Sequence, residues 1–104
     1  KLGANVKIID KEAFFNCGLN YIDLANVEII GEWAFSFCLD LKEIKLSKQL
    51  KNAGCAVFYN CMKLKQFITP QGEIIILAES EFANRSDAHS EIQSYIEKNK
   101  GLAK

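Results

Sequence analysis

Apolar residues return along this chain as one phrase written three times. The first copy reads Val6, Ile9, Ala13, Phe14, Cys17, Leu19, Ile22, Leu24 and the second Val27, Ile30, Ala34, Phe35, Cys38, Leu41, Ile44, Leu46. The third reads Leu50, Ala53, Val57, Phe58, Cys61, Leu64, Phe67, Thr69. The step from Val6 to Val27 is 21 residues and from Val27 to Leu50 it is 23. A fixed period of this length predicts stacked repeats, because one copy alone cannot bury its apolar set. Within each copy the L-x-x-I-x-L ending places alternate residues on opposite faces of a short strand, so that stacked copies build a parallel sheet. Gly31 and Gly54 follow the inward Ile30 and Ala53, where the chain is expected to turn; Asp10 holds that place in the first copy. The change in spacing falls in loops, at Gly18 and within Ser47–Asn52.

The phrase V-x-x-I-x-x-x-A-F-x-x-C-x-x-L-x-x-I-x-L, followed nearly throughout from Val27 to Leu46, resembles the BspA-like leucine-rich repeat over about residues 6 to 70. The resemblance implies an α/β-type but mostly β repeat solenoid, short and right-handed, built of small parallel strands. It also implies a non-enzymatic interaction module of the kind found in large surface or secreted proteins linked to adhesion. One departure is local: Ala25 and Ser47 stand where the family has Pro, and Thr69-Pro70 restores it in the third copy.

After Pro70 the phrase decays. Glu73–Ala78 reads as one more strand, with Ile76 placed 23 residues beyond Ala53 and so at its inward position, and Phe82 falls close to the next repeat phenylalanine. The pattern then becomes helical. Ser86 or Asp87 can cap, Ile92, Tyr95 and Ile96 share one face, Lys98 and Lys100 suit a C-terminal end, and Gly101 offers a stop. Ser90–Gly101 resembles the helical closing segment of BspA-like chains, expected to cap the last repeat near Ile74 and Ile76. Lys1–Asn5 offers no such cover at the other end. These readings give one domain over 1–104, with repeats at about 6–26, 27–49 and 50–70 and the capping segment over 71–104.

Composition narrows the function classes. Formal net charge is zero, yet Leu41–Gln66 carries six lysines against Glu43 alone, and Phe67–Glu97 carries six acids against Arg85. Lysines at loop and outward positions keep an apolar repeat in solution. Clustered arginines with aromatics, the footprint of a nucleic-acid surface, are absent. The longest apolar run, Ile74–Ala78, is far short of the roughly 20 residues of a membrane helix. The chain begins at Lys1 without Met and without a signal-peptide pattern, as a trimmed or mature product would, which leaves the compartment open.

Candidate chemistry is sparse. Cys17, Cys38 and Cys61 share one repeat position beside Phe14, Phe35 and Phe58, which predicts a buried ladder of rings and small apolar thiols. Parallel side-chain directions argue against disulfides along that ladder, and Cys55 lies off it. One histidine, His89, and no C-x-x-C leave no ordinary metal set and no cofactor. No nucleophile elbow or phosphate-binding loop is present, and Glu79 and Glu81 lack a tuning partner, so the chain reads as no enzyme. Asn84-Arg85-Ser86 forms a short sequon, and Trp33 is the one large aromatic without a repeat counterpart.

A binding face, if the strand ladder carries one, consists of outward residues flanking the inward Ile and Leu: Tyr21 and Asp23, Glu43 and Lys45, Gln66 and Ile68. Asp23 and Lys45 should lie side by side and neutralise each other. The expectation is a monomer that binds a protein ligand through this face. A structural cap or spacer, and an accessory repeat of a longer enzyme, stand as the alternatives.

Overall fold

The computed structural model describes residues 2–77 and 86–102. Each repeat contributes two short strands joined by a segment that contains a tight six-residue turn. The first strand of each repeat is β1 (Ile8–Ile9), β3 (Ile29–Ile30) or β5 (Asn52–Ala53); these form one parallel sheet in the order β1-β3-β5. The second is β2 (Tyr21–Asp23), β4 (Glu43–Lys45) or β6 (Gln66–Ile68), parallel in a second sheet. Register follows the sequence phrase, with Ile22, Ile44 and Phe67 stacked as Cα partners and Ile9, Ile30 and Ala53 stacked opposite them. All six of these residues are buried, and the core lies between the sheets.

The turns stack as regularly as the strands. Seven non-glycine residues have positive φ, and six of them fall into two repeat-phased series, Glu12, Trp33, Ala56 and Asn16, Phe37, Asn60. Within a turn, alternate N–H groups look inward or onward. Ala34, Ser36 and Cys38 donate three residues back, while Trp33, Phe35 and Phe37 donate to Cys55, Val57 and Tyr59 of the next layer at 2.8–3.2 Å. Every second backbone donor in the turn therefore joins layers rather than closing its own.

Gly31 and Gly54 are glycine because layers meet there, not because the chain turns with unusual φ. A Cβ on Gly31 would lie 2.6 Å from the Lys11 backbone nitrogen, and one on Gly54 would lie 2.7 Å from that of Glu32. Ala25 replaces the family proline for an equally local reason. Its φ is 52°, and its N–H donates to Asp23 Oδ1 at 2.8 Å, both impossible for proline.

Two expectations fail after Thr69. The strand there is β7 (Ile74–Ile76), and it runs antiparallel to β6 in the second sheet, whose order is β2-β4-β6-β7. Thr69-Pro70-Gln71-Gly72 closes a hairpin: the Gly72 N–H donates to the Thr69 carbonyl, Gly72 has φ 89°, and Glu73 donates to Thr69 Oγ1. A turn followed by a left-handed glycine reverses the chain before a further parallel repeat can begin. Ile76 therefore points outward beside Gln66, not inward with Ile30 and Ala53.

The helix α1 (Ser86–Leu102) runs through Gly101 rather than stopping at it. It packs on β5, not on Ile74 and Ile76, which stay exposed. Ala88, Ile92, Tyr95 and Ile96 form its buried stripe, at the spacing of one helix face. Gln93 completes the docking in a way the apolar pattern does not announce. The carbonyls of Ile9 and Ile30 accept the N–H of Gly31 and Gly54 from the following layer; that of Ala53 accepts Gln93 Nε2 at 3.2 Å. A side-chain amide thus stands in for the backbone of a further layer. Tyr95 Oη donates to the Ser47 carbonyl at 3.0 Å on the same end. At the other end, Leu2 donates to Asp23 in the register in which Leu24 donates to Lys45 and Leu46 to Ile68.

Phe14 and Phe35 stack at 5.2 Å and Phe35 and Phe58 at 6.2 Å, with ring planes nearly parallel, but Phe14 is only half-buried where a fully buried ladder was expected. The thiols do more than fill space. Cys38 Sγ donates to the Phe14 carbonyl at 3.0 Å and Cys61 Sγ to that of Phe35 at 2.9 Å, each reaching back one layer. Cys17 is half-buried and Cys55 exposed, and no disulfide joins the four cysteines. Phe82, Glu79, Glu81, Ala78 and the Asn84-Arg85 half of the sequon lie outside the described residues.

Candidate functional site

The six face residues read from the sequence lie on one surface. Strand pleating turns Tyr21, Glu43 and Gln66 outward in one row and Asp23, Lys45 and Ile68 in the next, in direct Cα register. The antiparallel β7 extends both rows, with Ile76 beside Gln66 and Ile74 beside Ile68. The face is thus polar over β2 and β4 and apolar over Ile68, to which β7 adds Ile74 and Ile76, two residues the sequence pattern assigns to the capped end. The signal that could have placed them was the Thr-Pro-Gln-Gly turn, which reads as a hairpin between two apolar runs.

Some of these polar groups are occupied. Gln66 Nε2 donates to Glu43 Oε2 at 2.8 Å across neighbouring strands. Asp23 uses Oδ1 on the Ala25 N–H, so its carboxylate serves the turn, and among the described residues it forms no ion pair with Lys45. The expected neutralisation is replaced by adjacency alone. Tyr21 is 43% exposed. Its hydroxyl is held above the ordinary phenol range, first by partial desolvation and then by the carboxylates of Asp23 and Glu43.

Two shallow hollows of about 290 Å³ flank the face. One, at the start of the strands, is lined by Tyr21, Lys42, Glu43, Lys65 and Gln66; the other, at their ends, by Asp23, Lys45, Lys48 and Pro70. Neither encloses a small molecule as an enzyme pocket does. Among the described residues no group of histidine, cysteine and acidic side chains could hold a metal ion, and no helix is long and apolar enough to cross a membrane. His89 sits in the first turn of α1 with Nδ1 buried and without a hydrogen-bond partner, remote from the strand face. Trp33 is half-buried and packs on Tyr59 at 5.5 Å, beside an outer line of rings formed by Phe15, Phe37 and Tyr59.

Two small sheets stacked from short repeats and closed by a helix define a mostly β repeat protein. The chain belongs to the BspA type leucine-rich repeat region (6 copies) family, which it matches over residues 1–100. Proteins of this repeat type are generally non-enzymatic interaction modules. No curated relative and no solved structure matches the chain.

Proposed function

We propose that this chain is a non-enzymatic module that binds a protein ligand through the outward face of β2, β4, β6 and β7, as part of a surface or secreted adhesion-type repeat protein. One domain spans 1–104, and its stacked layers form a short right-handed solenoid. The observation that supports the binding role is the face itself: eight outward side chains from four strands, mixing Tyr, charged groups and isoleucine, with the core on the opposite side. Aromatic and apolar groups set among charges are the composition of a contact surface. Three parallel rungs give a small patch, so tight attachment would come from many copies acting together.

Binding of the immobilised chain to a panel of extracellular-matrix and cell-surface proteins tests the reading. A Tyr21→Ala/Lys45→Glu variant should retain the wild-type melting temperature and lose about tenfold in affinity for any captured ligand, as truncation of central contact residues does. Equal binding by the variant would move the contact surface elsewhere. The structural-spacer reading has its own support, since Glu43, Gln66 and Asp23 are partly committed to intramolecular bonds; it predicts no ligand from the panel.

A further inference from the structure

Among the described residues the second sheet ends at the far side of β7. Thr69 donates to Glu73 and Leu77 donates to Lys65, so residues 73, 75 and 77 turn their backbone groups toward β6. The backbone N–H and C=O groups of Ile74 and Ile76 therefore point away from the sheet. Among the described residues no strand lies beyond them, and Ile74 and Ile76 are 58% and 78% exposed. Sheet edges in stable proteins are commonly guarded by lysine, proline or a bulge on the edge strand. Ile74-Ile75-Ile76 carries none of these.

We propose that β7 receives an extended segment of a partner protein as a fifth, antiparallel strand, a contact that deepens the binding reading above and rests on it. Antiparallel pairing uses both backbone groups of Ile74 and of Ile76, four hydrogen bonds in all, as strand addition does. It also specifies the guest by position. Residues opposite Ile74 and Ile76 share their outward face and meet the apolar corner made with Ile68, so β-branched apolar side chains suit those two places. Charge sets the direction. Glu73 is exposed at one end of the edge; Lys65, exposed beside Leu77 at the other end, lies on β6 with β7 between it and a guest, and adds only a longer-range attraction. Neither Lys65 nor Glu73 forms an ion pair among the described residues. A guest strand running antiparallel to β7 begins beside Leu77 and ends beside Glu73. The matching segment has an acid first, apolar residues second and fourth, and a base fifth.

The probe is the blocked peptide Glu-Val-Thr-Val-Lys, with Lys-Val-Thr-Val-Glu as its charge-reversed control. Nuclear magnetic resonance of the labelled chain supplies the readout, through amide shifts and amide exchange. In the free protein the amides of Ile74 and Ile76 should exchange freely while that of Ile75 is protected by β6. The first peptide should shift β7 and slow exchange at Ile74 and Ile76 together; the reversed peptide should bind about threefold more weakly, since its fifth residue sets a like charge opposite Glu73. Ile76→Lys should abolish protection at unchanged melting temperature, its side chain being exposed in the native fold.

Four results overturn the proposal. Shifts at Tyr21 and Lys45 without protection at Ile74 and Ile76 would leave the face as the contact surface and remove the edge. No shift anywhere with either peptide would remove the edge as a peptide site. Equal binding of the two peptides would remove the directional argument. Protection of both amides that grows with protein concentration alone would assign the edge to a second copy of this chain.

Discussion

Replacing Gly31 by alanine tests the stacking of layers at its tightest point. The new Cβ would stand 2.6 Å from Lys11 N, 2.8 Å from Asp10 C and 3.0 Å from Lys11 Cα, all backbone atoms of the neighbouring layer. No rotamer change relieves a collision with backbone, so the layers must separate locally. The hydrogen bonds nearest the contact are Gly31 N–H to Ile9 at 2.7 Å and Glu12 N–H to Glu32 at 3.0 Å. Weakening both loses on the order of 1 kcal/mol each, and overpacking strain adds about 1–3 kcal/mol. The expected destabilisation is therefore about 3–5 kcal/mol, a large part of the stability of a domain this size. Gly18→Ala is the control: nothing lies within 4 Å of its Cβ, so a smaller unfolded-state entropy leaves it neutral or about 0.4–1 kcal/mol more stable. Urea melts of both variants followed by circular dichroism measure the difference directly. A Gly31→Ala midpoint equal to that of the wild type, at equal slope, would refute the close approach and with it the layer register.

Phe35→Ala should cost about 3–5 kcal/mol in the same assay, because a fully buried ring stacked between Phe14 and Phe58 leaves a cavity its neighbours cannot fill. Gln93→Ala leaves the Ala53 carbonyl without its donor and should destabilise by about 1–2 kcal/mol; protection measured by hydrogen exchange should fall across α1. With a thiol reagent at neutral pH, Cys55 should react first and Cys38 and Cys61 last, and reducing agent should leave the melting temperature unchanged. Burial holds the Cys38 thiol and the Tyr95 hydroxyl above their ordinary pKa values, so both favour the neutral form in the folded state. Each contribution is intact below that group's own unfolded pKa and is lost as pH rises above it, the thiol's before the phenol's, so melts between pH 7 and 10 should show falling stability that Cys38→Ala partly removes.

The repeat phase was legible because stacking obliges each layer to place the same residue types at the same point. Ile22, Ile44 and Phe67 became Cα partners as the phrase required. The end of the array was not legible in the same way. Ile76 lies at the repeat distance from Ala53, and periodicity alone cannot tell an inward residue of a fourth layer from an outward one on a reversed strand. The decision belongs to Pro70 and Gly72, whose backbone preferences act over four residues and leave no trace in a period of 21 to 23. The role of Gln93 was hidden for another reason. A polar residue on a half-buried helix face reads as solvated unless the carbonyl it meets is known, and that carbonyl lies 40 residues away. The thiol donors of Cys38 and Cys61 were likewise invisible, since an apolar filler and a weak donor leave the same mark in a sequence. The outward placement of Tyr21, Glu43 and Gln66 follows from strand pleating alone, whereas the isoleucine corner depends on the hairpin.

Hydrogen bonds between turns that link each layer only to its neighbour give the molecule a mechanical character. Pulled from its two ends, the chain cannot share the load among all its layers. The outermost layer carries it alone until its own contacts part, and then passes it to the next. Each release should lengthen the chain by one repeat, roughly 75 Å of extended polypeptide, so a force trace should rise in separate teeth of similar spacing rather than in one large break. The first layer, with Ile8 60% and Phe15 41% exposed, should yield at the lowest force, and the layer sealed by α1 at the highest.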